Sequence, residues 1–259
     1  MITIPLYQVD AFAVRAFSGN PAAVCPLREW LPDATLAAIA AENNLSETAF
    51  LVGGDGHYAL RWFTPTTEVD LCGHATLASA FVVFERLEPG RGVVSFDTAS
   101  GELTVRREDG FLLMDLPSRP PRPIPVPEAL TKALGATPTE AGTSRDLMAV
   151  FDDEDAVRGL RPDFRALAEL GQAAIVTAPG RDVDFVSRFF APGDGIDEDP
   201  VTGSAHCTLI PYWAKRLGRA HLRARQVSAR GGDLTCRDLG DRVSVGGRAT
   251  LFLEGTIRV

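Results

Sequence analysis

The chain has 259 residues, 45% apolar and 23% charged, with a net charge of −8 and a pI of about 5.1. That is the composition of an ordinary globular protein, long enough for one large core or two moderate ones. The acidic balance argues against a nucleic-acid backbone or an anionic membrane as partner, but not against a small anion held by local donors.

Met1-Ile2-Thr3-Ile4-Pro5 lacks the basic start and long apolar stretch of a secretory leader, and no run reaches the length of a membrane span, so a cytoplasmic location is expected. Leu6 to Ala13 reads as a strand, and Ala22 to Cys25 as another after the turn Ser18-Gly19-Asn20-Pro21. Asp33 to Asn43 predicts a helix that stops at Asn43 or Asn44. Tyr58 to Phe63 alternates after the turn-rich Gly53 to Gly56, which suggests a hairpin. Ala75 to Leu87 is apolar on nearly every face until Glu85 and Arg86, so it belongs in an interior with strands wrapped around it. Val93 to Phe96, Leu103 to Arg107 and Phe111 to Leu116 read as further strands. Pro117 to Pro127 is too rich in proline for helix or central strand and reads as an extended connector. Ala205 to Leu217 is a second apolar helical run, and its Pro211 predicts a kink.

Two stretches repeat one another. Phe63-Thr64-Pro65 leads through an acidic segment to Cys72-Gly73-His74-Ala75, and Phe190-Ala191-Pro192 leads through Asp197, Glu198 and Asp199 to Thr202-Gly203-Ser204-Ala205. Thr98-Ala99-Ser100-Gly101-Glu102-Leu103-Thr104-Val105-Arg106 then answers Ser228-Ala229-Arg230-Gly231-Gly232-Asp233-Leu234-Thr235-Cys236-Arg237, with one inserted residue. Thr48 to Val52 similarly answers Ala174 to Thr177. A repeat of this length indicates a duplicated domain. The expected division is 1–117 and 118–249, with strand 250–259 free to complete the first lobe. Each turn opens a helix, where backbone N–H groups and a partial positive charge can hold an anion. A substrate carboxylate between two such turns is the simplest ligand.

Glu47 lies between a helix and an apolar strand. It reads as a general base whose pKa partial burial would raise, or as an exposed Glu at a strand start. His74, in the first helical turn, reads as a neutral imidazole that donates or relays a proton, or as a capping residue. Asp199 before Pro200 reads as an ordinary N-cap, or as a partner for His74 or a polar substrate group. Ser204 matches His74 in the repeat, and Gly73 and Gly203 offer backbone N–H at close range. Cys72 at a helix start reads as a thiol of lowered pKa, but its counterpart is Thr202, so a two-thiol mechanism is not available. Cys25, Cys72, Cys207 and Cys236 are scattered, which suggests small buried residues and neither a zinc site nor disulfides. No phosphate loop or serine elbow is present, and no metal is expected.

Gln8-Val9-Asp10-Ala11-Phe12, Phe17-Ser18-Gly19-Asn20-Pro21, Asn44-Leu45-Ser46-Glu47-Thr48, Cys72-Gly73-His74-Ala75-Thr76 and Asp199-Pro200-Val201-Thr202-Gly203-Ser204-Ala205 together resemble the PhzF family of phenazine biosynthesis-like isomerases, within the diaminopimelate epimerase-like superfamily. The resemblance spans most of the chain. It implies an α+β fold of two pseudo-symmetric lobes, each a curved, mostly antiparallel sheet or barrel around a central helix. It also implies a site between the lobes and no cofactor. Carried over by motif, Glu47 is the acid/base, His74, Asp199 and Ser204 are polar or proton-handling partners, Asn20 is a substrate contact, and Gly73 and Gly203 lie beside the carboxylate. Cys72 and Thr202, in the same turns, are expected to bind substrate as well. The expected activity is a proton shift on a small carboxylate-bearing, amino-acid-like metabolite. The alternatives are epimerisation by Cys72 with Glu47, or binding without turnover. Base rates point to a homodimer.

Overall fold

The computed structural model describes residues 1–259. The chain forms two compact units, one made of Met1–Asp115 with Gly246–Val259 and the other of Leu116–Val245.

The first unit contains β1 (Thr3–Ala11), β2 (Asn20–Leu27), α1 (Asp33–Asn43), β3 (Glu47–Gly54), β4 (His57–Phe63), β5 (Glu68–Val69), α2 (Gly73–Val82), β6 (Val93–Thr98), β7 (Gly101–Glu108) and most of β8 (Phe111–Pro117). Its strands pair in the order β1, β2, β3, β4, β6, β7, β8, with β5 also on β4. Only β2–β3 and β4–β6 are parallel. A parallel pair needs a crossover, and α1 and α2 are those crossovers.

The second unit contains β9 (Arg122–Ile124), α3 (Glu128–Leu134), β10 (Glu140–Thr143), β11 (Leu147–Val150), α4 (Glu154–Gly159), α5 (Phe164–Ala168), β12 (Ala174–Pro179), β13 (Phe185–Ala191), β14 (Ile196–Asp199), α6 (Gly203–Leu217), β15 (His221–Gln226), β16 (Gly232–Asp238) and most of β17 (Arg242–Gly247). Its order β10, β11, β12, β13, β15, β16 repeats the first unit's, with β11–β12 and β13–β15 as the parallel pairs. The chain ends in β18 (Ala249–Arg258), which lies antiparallel to β1 within the first unit.

Two elements differ from the sequence reading. The expected helix over 75–87 keeps α-helical form only to Val82, then widens into a π turn, Val83–Leu87. That last turn places Glu88 so that its Oε1 accepts from Tyr58 Oη at 2.6 Å and from Gly56 N at 3.0 Å. Within the proline-rich connector, Arg122–Ile124 pairs with β10, because Pro123 loses only its own donor and can still lie in an extended ladder.

Helix α1 covers one face of the first sheet. Leu36, Ile39 and Ala40 pack with Ile4, Cys25, Phe50 and Phe63, and the two phenyl rings meet edge to face at 5.7 Å. Helix α2 contacts β1, β2 and β3 and is buried at nearly every residue, as its all-round apolar sequence requires. In the second unit, α3, α4 and α5 build the core with Ala149, Val176, Val186 and Phe190. In α6, Trp213 stacks on Phe185 and donates from Nε1 to Thr177 Oγ1 at 3.0 Å.

Phe50→Ala removes a fully buried ring from the α1 layer and is expected to cost about 3–5 kcal/mol of stability. Urea unfolding checks this, and an unchanged midpoint would contradict the packing assigned to α1.

Candidate active site

Strand periodicity aims the acid. Thr48 and Phe50 face α1: Asn43 Nδ2 donates to Thr48 Oγ1 at 3.1 Å, and Phe50 joins the α1 core. Side chains alternate along a strand, so Glu47, Ala49 and Leu51 face the other side, toward α2. Strand β2 continues this face. Ala22 lies beside Glu47 in parallel register, and Cys25 joins the α1 core, which leaves Asn20, Ala22 and Val24 on the Glu47 side. Asn20 is fully buried there.

The start of α2 meets this face. Glu47 is only 9% exposed and His74 4%. His74 Nε2 lies 3.0 Å from Glu47 Oε2, yet neither atom makes a hydrogen bond of good geometry. On the other edge of the imidazole, Nδ1 lies 3.5 Å from Cys72 Sγ. Cys72 is the N-cap residue of α2, with extended φ and ψ and no side-chain cap bond. Gly73 and His74 are therefore the first two helical residues, and the turn ends in the helix start that the sequence predicts.

The burial of Glu47 fits the first of its two readings and not the exposed one. Electrostatics correct the expectations for His74 and Cys72. Burial opposes a charge on His74, but Cys72 and Glu47 beside the ring outweigh it and hold the pKa well above the ordinary 6.5. The pull of the carboxylate therefore overrides the helix dipole, which favours a neutral ring. For Cys72, burial dominates over the helix start, the Glu47 charge adds to it, and the thiol is pushed up to about 11.

In the second unit, Asp199 ends β14, and Thr202 rather than Asp199 is the N-cap of α6. The two residues between them carry the turn, so the expected Asp-Pro helix opening does not form. Thr202 Oγ1 instead donates a short hydrogen bond to Asp199 Oδ2. Gly203 and half-buried Ser204 are the first two residues of α6.

Sequence reasoning missed the residue that holds this turn. Gln226, fully buried on β15, accepts from Thr202 N at 2.9 Å and donates from Nε2 to Asp199 O at 2.7 Å and to Thr202 Oγ1 at 3.2 Å. The signal was the alternation Leu222, Ala224, Gln226, which puts an amide on a buried strand face, where it must find partners. His206 was also missed. Its Nδ1 lies 2.8 Å from Thr202 O, and its ring packs against Phe185.

Burial depresses the His206 pKa to about 4, partly countered by the Thr202 carbonyl. The unfolded chain therefore takes up this proton first. The contribution to stability is complete above about pH 6.5 and is lost as pH falls toward about 4, in total about 3 kcal/mol. His74 acts in the opposite sense but is common to the wild type and a His206 variant. His206→Gln should therefore flatten the acid side of the wild-type stability profile across this window. Denaturant melts at stepped pH check it, and parallel profiles would contradict the assignment.

Comparison with known proteins agrees with this architecture. The PhzC-PhzF family model, described as phenazine biosynthesis-like protein, matches residues 9–255. An uncharacterized isomerase of Pseudomonas aeruginosa is 52% identical over 257 residues, covering 99% of each chain. The crystal structure of a PhzF-family phenazine biosynthesis protein of Enterococcus faecalis superposes with a TM-score of 0.97 at 50% identity, covering 100% of both chains. A hydroxyproline epimerase of Agrobacterium vitis shares the fold at 12% identity, with a TM-score of 0.61 over 98% of this chain and 92% of its own. The sequence repeat, the duplicated strand order and these matches agree: the chain belongs to the PhzC-PhzF, phenazine biosynthesis-like family.

Proposed function

We propose that this protein is an isomerase that moves a proton between two carbons of a small, carboxylate-bearing, amino-acid-like metabolite. The observation that carries the reading is the buried contact of Glu47 Oε2 with His74 Nε2 at 3.0 Å. A carboxylate beside a charged imidazole is a base and an acid in one place. Glu47 takes the proton from one carbon, and His74 gives a ring proton to the other. The proton on Glu47 then crosses to His74, and both groups return to their starting state. No net oxidation occurs, and the step needs no group beyond these side chains. The isomerase name borne by the Pseudomonas relative supports the same reaction class.

Binding is assigned to the turns. In the first unit the helix start at Gly73, with Asn20 beside it, offers donors to a substrate carboxylate, and in the second the helix start at Gly203, with Thr202, Ser204 and Asp199, offers a comparable set. General acid–base work supplies about 10²–10⁴-fold, and fixed donors must supply the rest. Epimerisation by Cys72 is the poorer reading. Its thiol, pushed up to about 11, is protonated at neutral pH, and Thr202 stands where a second thiol would be.

A thermal-shift screen of amino-acid-like carboxylates finds ligands, since binding to the folded state alone raises the melting point. Incubated in D₂O with the protein, a turned-over ligand should gain carbon-bound deuterium. Glu47→Gln should slow that exchange by about 10²–10⁴-fold while leaving the fold intact by circular dichroism. Exchange at the wild-type rate in Glu47→Gln would refute the assigned base. Alkylation of native Cys72 should be slow, because the thiol is both buried and protonated. Loss of exchange in step with rapid alkylation would favour the thiol mechanism.

A further inference from the structure

Glu47, Cys72 and His74 form a set that the proton shift does not exhaust. A carboxylate oxygen, a thiol sulfur and an imidazole nitrogen lie within 4.8 Å of one another, and all three residues are buried. Glu47 Oε2 and His74 Nε2 are both buried atoms that lack a hydrogen bond, and the His74 side chain is only 5% exposed. Glu47 Oε2 therefore keeps a lone pair unused, and His74 Nε2 frees one when it sheds its proton. We propose that this triad binds a single zinc ion, which closes the site to proton transfer.

The chemistry suits a borderline-soft divalent cation. Zinc takes sulfur, nitrogen and oxygen donors in a tetrahedron, with Zn–S near about 2.3 Å and Zn–N or Zn–O near about 2.0–2.1 Å, so its ligands stand roughly 3.2–3.6 Å apart. The Cys72 Sγ to His74 Nδ1 distance is 3.5 Å, and Glu47 Oε2 approaches the other ring nitrogen at 3.0 Å. Small side-chain rotations bring one ring nitrogen, the sulfur and the carboxylate to such distances, with the fourth position left for water or a ligand carboxylate. On binding, Cys72 gives up its thiol proton and His74 the proton on the coordinating nitrogen, both to buffer. The sequence spacing does not announce this set, because the carboxylate comes from β3 and the Cys-x-His pair from the turn before α2.

Metal binding is independent of the reaction assigned above, whereas the inhibition rests on Glu47 being the base. Calorimetric titration of zinc chloride into chelator-treated protein is the test. One-to-one binding is expected in the wild type, and affinity should fall at least about tenfold in Cys72→Ser and in His74→Ala. The exposed His57, Asp97 and Glu102 also place ligand atoms within 4.8 Å of one another, so His57→Ala serves as the control and should bind as wild type. Cobalt(II) titrated into the wild type should give a thiolate-to-metal charge-transfer band, a readout that needs no variant to fold. Binding that survives Cys72→Ser unchanged, is lost only in His57→Ala, or gives no thiolate band would overturn the proposal. Zinc that binds at the triad but leaves deuterium exchange running would preserve the metal site and sink the catalytic role of Glu47.

Discussion

A carboxylate and an imidazole held against one another out of water is the constraint on which the first unit's site turns. Glu47 alone on the inner face of β3 would be a desolvated charge with a large penalty. His74 alone at the start of α2 would be a neutral ring. Together each stabilises the charge of the other, and the contact stops short of a well-aligned hydrogen bond. The pair therefore keeps directional capacity for a third group. That residual capacity is what the proposed proton transfer would use, and it is also what a metal ion would use.

The scaffold around the pair follows from strand and helix periodicity. Both units run the same cycle of two antiparallel strands, a helical crossover, two further antiparallel strands, a second crossover and a final hairpin. The second crossover is buried at most residues in each unit, and its first turn carries Gly at the first position and a polar side chain at the second. The turn residues differ within that shared frame. In the first unit the turn reads Cys72-Gly73-His74 beside a carboxylate. In the second it reads Thr202-Gly203-Ser204 and is clamped by Gln226 and Asp199. The first turn sets an imidazole against a carboxylate, and the second is fixed by side-chain hydrogen bonds.

Much of this was legible in the residues. The helix Asp33–Asn43, the buried character of α2, the proline-rich passage between halves and the two glycine turns all follow from local pattern. Glu47 and His74 are also singled out by the sequence, and the structure brings them into contact. What failed was local in a different sense. The protonation of His74 and of Cys72 depends on neighbours from another strand, and a helix-start argument sees only the dipole. The N-cap of α6 moved from Asp199 to Thr202, because the turn between them is held by an amide from β15, more than twenty residues onward. Gln226 itself was visible as a polar residue on a buried strand face, but that reading needs the strand phase. Periodicity tells which face a side chain takes, and only the assembled sheet tells what meets it there.

The account stands on the charge state of one ring. Nitrogen-15 NMR of the zinc-free protein at neutral pH reads it directly, because a doubly protonated imidazole and a neutral one give distinct shifts. The prediction is that His74 carries protons on both ring nitrogens in the wild type and that Glu47→Gln returns it to the neutral form at the same pH. A neutral His74 in the wild type, or one indifferent to the loss of the Glu47 charge, would contradict the pairing on which the proposed chemistry depends.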